Sequence, residues 1–409
     1  MIDPSLVQRL IDAISRFEII DAHEHLSPEQ VRLDQQVDVF TLFQHYTAGD
    51  LRVAGMPPTD YQLLFDRRLP LETRWGLFKP YWERIRTTSY ARAALIAARH
   101  FYGVEDINDQ TYVALSEAIQ RNNTPGLYER VLGQACNIRL ALTQCSRTDL
   151  NHPRLLPVMP MMYPCRTWKE IAHPVFDPTA TVQTLDDYVD ALRAYVRRVK
   201  AEGAVGLKTA SVTRKTPDRQ AALEAFAALR DGKIQELPEF HVLFDWVSEQ
   251  VLTYGAEQGL VICVHTGYWG DFRNLDPLHF IPVIERHPNV RFDVYHLGYP
   301  WMRESLMLGK AYANVWLNMC WTHIIAQKFA TEALDEAIDL IPQNKLIAFG
   351  GDYAAPVEKT YGHLVMARED VARALAAHIE RGQLCEEQAV DLAHKWFWDN
   401  PVALYNLKV

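Results

Sequence analysis

The sequence contains no CxxC pair: its six cysteines, Cys136, Cys145, Cys165, Cys263, Cys320 and Cys385, are scattered. That spacing excludes a disulfide framework and a zinc ribbon, and a reducing, cytoplasmic setting is expected. Blocks of like charge are also missing, and 42 Lys plus Arg against 51 Asp plus Glu leave a net charge of −9. This balance argues against nucleic acid or an anionic membrane surface as the main partner and favours small-molecule chemistry. The longest apolar runs, such as LVICV before His265, fall well short of the roughly 20 residues needed to cross a bilayer. The N-terminal MIDPSLVQRLIDAISR has the pattern of an amphipathic helix and lacks a signal-peptide core. Neither internal repeats nor low-complexity segments stand out. With 48% hydrophobic and 23% charged residues, the 409-residue chain has the composition of a folded globular protein.

What is present is a series of short β-branched runs that end in polar residues. The first is FEIIDAHEHL, ending at Leu26; the others span 137 to 144, 155 to 161, 204 to 210, 260 to 267, 291 to 298, 315 to 321 and 346 to 352. Most are followed by helical patterns. In TLDDYVDALRAYVRRVKAEG, Leu185, Tyr188, Val189, Leu192, Val196 and Val199 share one face and Gly203 closes the helix. Strand then helix, repeated, predicts a parallel sheet. Several strands end in His, Lys or Asp, which fits a closed α/β (β/α)8 barrel, because closure brings all the C-terminal ends around one pocket. The expected organisation is residues 1–27 for the N-terminal helix and first strand, a helical capping insertion over 28–134, and the rest of the barrel over 135–409. A smaller interruption, 213–240, carries an Ala-rich helix. The connection 145–154 is too short for one.

His23 and His25 lie two apart on a strand, so both face one side while Glu24 faces the other. Alone, the pair reads first as buried, hydrogen-bonded histidines and only second as a chelating pair. The remaining strand ends change the weighing: His265 closes the fifth, His296 the sixth and Asp352 the eighth. Imidazole and carboxylate suit divalent zinc, manganese or iron, and a catalytic site leaves a position open for water or substrate.

This constellation resembles the amidohydrolase superfamily of metal-dependent barrels, which carry HxH after the first strand, Lys or Glu after the fourth, His after the fifth and sixth, and Asp after the eighth. The stretch from His265 to Met319, with LIPQNKLIAFGGD and AHKWFWDNPVALYNL, is most similar to the amidohydrolase-related branch. That branch includes the N-terminal domains of FluG-like proteins and is distantly related to uronate isomerases. The resemblance implies a metal site of His23, His25 and Asp352, with His265 as a further ligand. It makes His296 a ligand or a group that binds the reacting oxygen. Lys208 falls where some members carry a carboxylated lysine bridging two metals; as an ordinary ammonium it would bind a substrate carboxylate or pair with Asp352. One metal per chain is expected, zinc before manganese or iron.

Asp352 is the expected general acid/base. Arg166, Arg214, Tyr268, Trp269, Arg273, Trp321 and His323 follow strand ends and are candidates for substrate binding. Arginine's fork suits an acidic small molecule. Arg84 and Arg86 would close over the ligand, or belong to a helix whose aromatics face a core. The leading expectation is a hydrolase that uses metal-activated water. A uronate-isomerase-like aldose–ketose isomerase, a metal-dependent decarboxylase and a non-catalytic binding barrel are the alternatives, each as a homo-oligomer or a single chain.

Overall fold

A computed structural model describes residues 3–161, 165–210 and 215–409. Eight parallel strands follow one another in chain order: β1 (Ile19–Glu24), β2 (Ile138–Gln144), β3 (Leu155–Pro160), β4 (Gly206–Thr209), β5 (Val261–His265), β6 (Phe292–Tyr295), β7 (Val315–Asn318) and β8 (Leu346–Ile347). The architecture is the expected (β/α)8 barrel. β8 is short because the chain beyond it turns to meet β1. Ala22 donates its N–H to the Phe349 carbonyl at 3.1 Å, Asp352 to His23 at 2.8 Å, and His25 to Tyr353 at 3.1 Å. These bonds close the barrel.

Helices cover the outside as their periodicity predicts. The helix Leu185–Ala201 buries Leu185, Tyr188, Val189, Leu192, Val196 and Val199, and Gly203 beyond it takes φ +102°. The segment 145–154 contains no helix, and the second interruption carries the helix Arg219–Arg230. No helix among the described residues is long and apolar enough to cross a membrane.

Between β1 and β2 the chain forms a helical cap with its own core, built on Phe40, Phe43, Trp75, Phe78, Trp82 and Leu115. Arg86 lies over the Trp82 ring and pairs with Asp106 at 2.6 Å, while Arg84 donates to the Ala54 carbonyl. Both arginines therefore brace the cap itself. The cap docks on the helix Glu358–Glu380. Arg32 and Tyr102 reach Glu358 at 2.9 and 2.6 Å, Lys359 donates to Thr47 at 2.7 Å, and Gly362 lies against the Ala93 backbone, where a Cβ would overlap it.

Candidate metal centre at the barrel mouth

β1 is buried along its whole length, and its pairing with β2 slips between Asp21 and Glu24. Alternation sends His23 toward the mouth and Glu24 behind it. Glu24 accepts N–H from Tyr353 at 2.6 Å and the Thr360 hydroxyl at 2.8 Å; Asp21 accepts N–H from Gly351 at 3.0 Å. The two carboxyls thus clamp β1 to the chain after β8, and burial pushes Asp21 up to about 7 and Glu24 well above its usual range. The two glycines before Asp352 permit this approach: a Cβ on Gly350 would sit 2.5 Å from the Cys320 Cβ, and one on Gly351 would overlap the Glu24 carboxylate. Asp352 itself takes φ +59°, and His45, His296 and Trp321 are also left-handed at +60°, +70° and +65°. Non-glycine residues hold that conformation only where the surroundings enforce it.

The ligand atoms of His23, His25 and Asp352 lie within 4.8 Å of one another. Both Nε2 atoms converge on Asp352 Oδ1, at 3.1 Å from His23 and 3.2 Å from His25. His25 Nδ1 is 3.0 Å from the Gln144 carbonyl. A carbonyl only accepts, so this nitrogen carries the proton and Nε2 presents a lone pair. Burial, then the charge of Lys208, holds His23 well below its usual pKa, which favours its neutral form. Burial would raise Asp352, but the two imidazoles beside it, His23 first, outweigh that and keep the carboxyl well below the usual range. Imidazole lone pairs and an ionised carboxylate aimed at one point repel unless a cation sits among them. His23 Nε2 and Asp352 Oδ1 are buried without a hydrogen-bond partner, as such a site requires, so these residues fit a divalent ion.

The other two histidines form a pair. His296 Nδ1 is 2.8 Å from the Cys320 carbonyl, and its Nε2 is 3.0 Å from His265 Nδ1. By the same argument His296 Nδ1 carries a proton, His296 Nε2 accepts from His265 Nδ1, and His265 Nε2 is left with a buried lone pair and no partner. His296 thus sets the tautomer of His265. His265 lies outside the three-residue cluster. Lys208 is buried in β4, 3.5 Å from Gln144 Oε1 and over the Tyr295 ring at 4.7 Å, its pKa lowered by burial.

Of the residues expected to bind substrate, Trp321 lies beside His296 at 5.2 Å between ring centroids and stacks on Tyr46 at 4.7 Å. Tyr268 and Trp269 are half-exposed at the rim, 6.0 Å from Trp321 and 6.2 Å from His265 respectively. Arg273 turns outward to Asp271, and Arg166 pairs with Glu236. His323 is buried with both ring nitrogens engaged, at 2.9 Å from Asp370 and 3.0 Å from the Ala348 carbonyl. It braces the helices behind the mouth. Arg214 lies outside the described residues. The cap adds two residues that the sequence does not single out. His45 lies 6.4 Å from His25 between ring centroids, with its Nδ1 buried and unpartnered. Tyr46 sits against Trp321, and burial, then the nearby Asp352 carboxylate, pushes its phenol well above the usual value.

The amidohydrolase family model matches residues 165–407, more than half of the chain, and the chain belongs to that family. Among curated proteins it is similar to Protein fluG of Emericella nidulans, 25% identical over 190 residues, which covers 44% of this chain and 21% of that protein. The alignment thus spans about a fifth of the relative's length. Among solved structures it resembles glucuronate isomerase from Caulobacter crescentus (TM-score 0.80, 16% identity, 100% of this chain and 95% of that one). It also resembles uronate isomerase from Thermotoga maritima (TM-score 0.78, 14% identity, 99% and 98%). A Lactobacillus casei protein assigned as a metal-dependent hydrolase aligns at TM-score 0.66 and 16% identity over 98% and 99% of the two chains. These structural likenesses show the fold.

Proposed function

We propose that this amidohydrolase-family protein is a metal-dependent hydrolase of a small, carboxylate-bearing substrate. The observation that carries the reading is the convergence of two imidazole Nε2 atoms on one buried Asp352 oxygen, with the His25 tautomer fixed by a backbone carbonyl. His23, His25 and Asp352 would hold one divalent ion, zinc before manganese or iron, and the His265 lone pair is the nearest further donor in chemical type. Such an ion supplies a water acidic enough to ionise near neutral pH.

The rest is done by the chain. Asp352 has a second carboxylate oxygen with which to take a proton from the attacking water and return it to the leaving group. The His265 and His296 pair stands beside it, 3.8 Å from His296 Nδ1 to Asp352 Oδ2, and its free lone pair on His265 Nε2 accepts a hydrogen bond from the water or a substrate hydroxyl. Lys208 is the buried cation that receives the substrate carboxylate. Tyr46 and Trp321 form an aromatic wall for the apolar face of the ligand, and the cap above them excludes water.

The test is metal content by elemental analysis, followed by turnover of a panel of N-acyl, ester and lactone acids. About one metal per chain with hydrolysis of a panel member supports the reading; a protein that takes up no divalent metal overturns it. A second reading, aldose–ketose isomerisation, is favoured by Tyr46, which places another proton-bearing group beside Asp352, and by the likeness to uronate isomerases. Under that reading hexuronates would gain deuterium at the carbon next to the carbonyl in heavy water. Under the hydrolytic reading they would not react.

A further inference from the structure

The lumen of a (β/α)8 barrel is normally filled by layers of branched apolar side chains. Here the layer beneath the mouth is polar, and part of it comes from the chain's last helix, Asn400–Tyr405. Leu404 and Tyr405 belong to the same buried cluster as Ala22, Leu142, Val158 and Val261 of four barrel strands. Gly206 makes room for them: a Cβ there would lie 3.1 Å from Cys263 Sγ and 3.4 Å from Tyr405 Cε1.

The Tyr405 hydroxyl is the node of a branched network. It donates to Asp293 Oδ2 at 2.6 Å and lies 3.2 Å from the Tyr295 hydroxyl and 3.2 Å from Cys263 Sγ. One branch ends on the Tyr295 ring, which carries Lys208 on its face and packs against the His23 imidazole at 4.5 Å between centroids. The other branch runs through Asp293. Asn318 donates to the same Oδ2 at 3.0 Å and accepts the Cys320 N–H at 2.9 Å, and the Cys320 carbonyl holds His296 Nδ1. Both branches are buried throughout, so no water competes for their partners.

We propose that Tyr405 is a positioning residue for the metal site, fixing His23 and Lys208 through Tyr295 and the His296–His265 pair through Asp293, Asn318 and Cys320. The inference rests on the metal-site reading above. The C-terminal helix thereby sets the geometry of a site at the other end of the barrel without touching it.

The experiment is Tyr405→Phe in the full chain, loaded with cobalt(II) in place of the native ion. This substitution keeps the ring and removes only the hydroxyl. The visible absorption of bound cobalt reports ligand geometry, and titration gives its Kd. The expected result is a shifted spectrum and about tenfold weaker binding. Tyr295→Phe, which cuts one branch only, should shift the spectrum by less, with the double variant no worse than Tyr405→Phe alone. Leu404→Ala, in the same cluster, should lower Tm and leave the spectrum in place. An unchanged spectrum and Kd in Tyr405→Phe overturn the inference. If the wild type binds no cobalt, the metal reading fails separately. The metal-free crystal structures of wild type and Tyr405→Phe then decide: displaced Tyr295 and His296 rings support positioning by Tyr405, and superimposable rings overturn it. Should Tyr405→Phe fail to fold, Tyr295→Phe carries the same readouts.

Discussion

At the scale of the residue, the two nitrogens of His25 have separate duties: Nδ1 is held by the Gln144 carbonyl and Nε2 faces Asp352. His25→Ala removes a donor without opening the core, since the side chain is 30% exposed. Its expected effect is loss of the bound metal, read by elemental analysis, with Tm in the presence of chelator close to that of the wild type. Asp352→Asn keeps the shape of the carboxylate and loses its basicity; hydrolysis should fall by about 10²–10⁴, measured as kcat on whichever panel substrate turns over. These residues were readable in the sequence because each ends an apolar strand, and alternation then decides which way it points. His45 and Tyr46 were not, because nothing local marks them. They reach the mouth only when the cap folds back over the barrel, and the cap core that holds them there comes from residues far along the insertion. His323 was misleading for the opposite reason. Its position after β7 matched that of a substrate-facing residue, but the backbone turn at Trp321 carries it behind the mouth.

At the scale of the element, periodicity located the strands and the barrel helices, since each buries one face. The weakest strand is β8, whose two paired residues understate an apolar run that continues through Phe349 and hydrogen-bonds with β1 and with the Trp396 carbonyl. The packing of the cap helix Ser89–Tyr102 on the helix Glu358–Glu380 has no sequence signature beyond small residues on both. There Gly362 meets the Ala93 backbone without room for a methyl group. Gly362→Ala should force the two helices apart at a cost of about 1–3 kcal/mol, visible as a lower midpoint in urea unfolding. The same substitution at Gly103, where nothing lies within 4 Å but φ is +66°, tests backbone strain alone and should cost about 1 kcal/mol.

At the scale of the molecule, cap and barrel are joined through a buried lysine. Lys359 extends from the barrel side to Thr47 in the cap, over the ring of Tyr353. Burial lowers its pKa to about 7 from the 10.5 of an exposed lysine, against the pull of Asp50. Between those values the unfolded chain holds a proton that the folded chain does not, so this residue makes stability rise with pH across the window. Below pH 7 the cost of burying the charge is present in full. Lys359→Met should therefore stabilise the fold at pH 6.5 relative to its effect at pH 9.5, and chemical unfolding at several pH values should show the wild type alone gaining up to one proton's worth of slope. The closure of the barrel also has a meaning in time. His23 lies on the first strand, His25 directly after it, and Asp352 just beyond the last, so in the proposed metal site two of the ligands are synthesised long before the third. A ribosome-bound or truncated fragment offers two imidazoles and no carboxylate, a poor chelator, and only a finished barrel can capture the ion. On the proposed reading, metal retention would then report that the barrel has closed, and fragments that stop before Asp352 should not retain the ion.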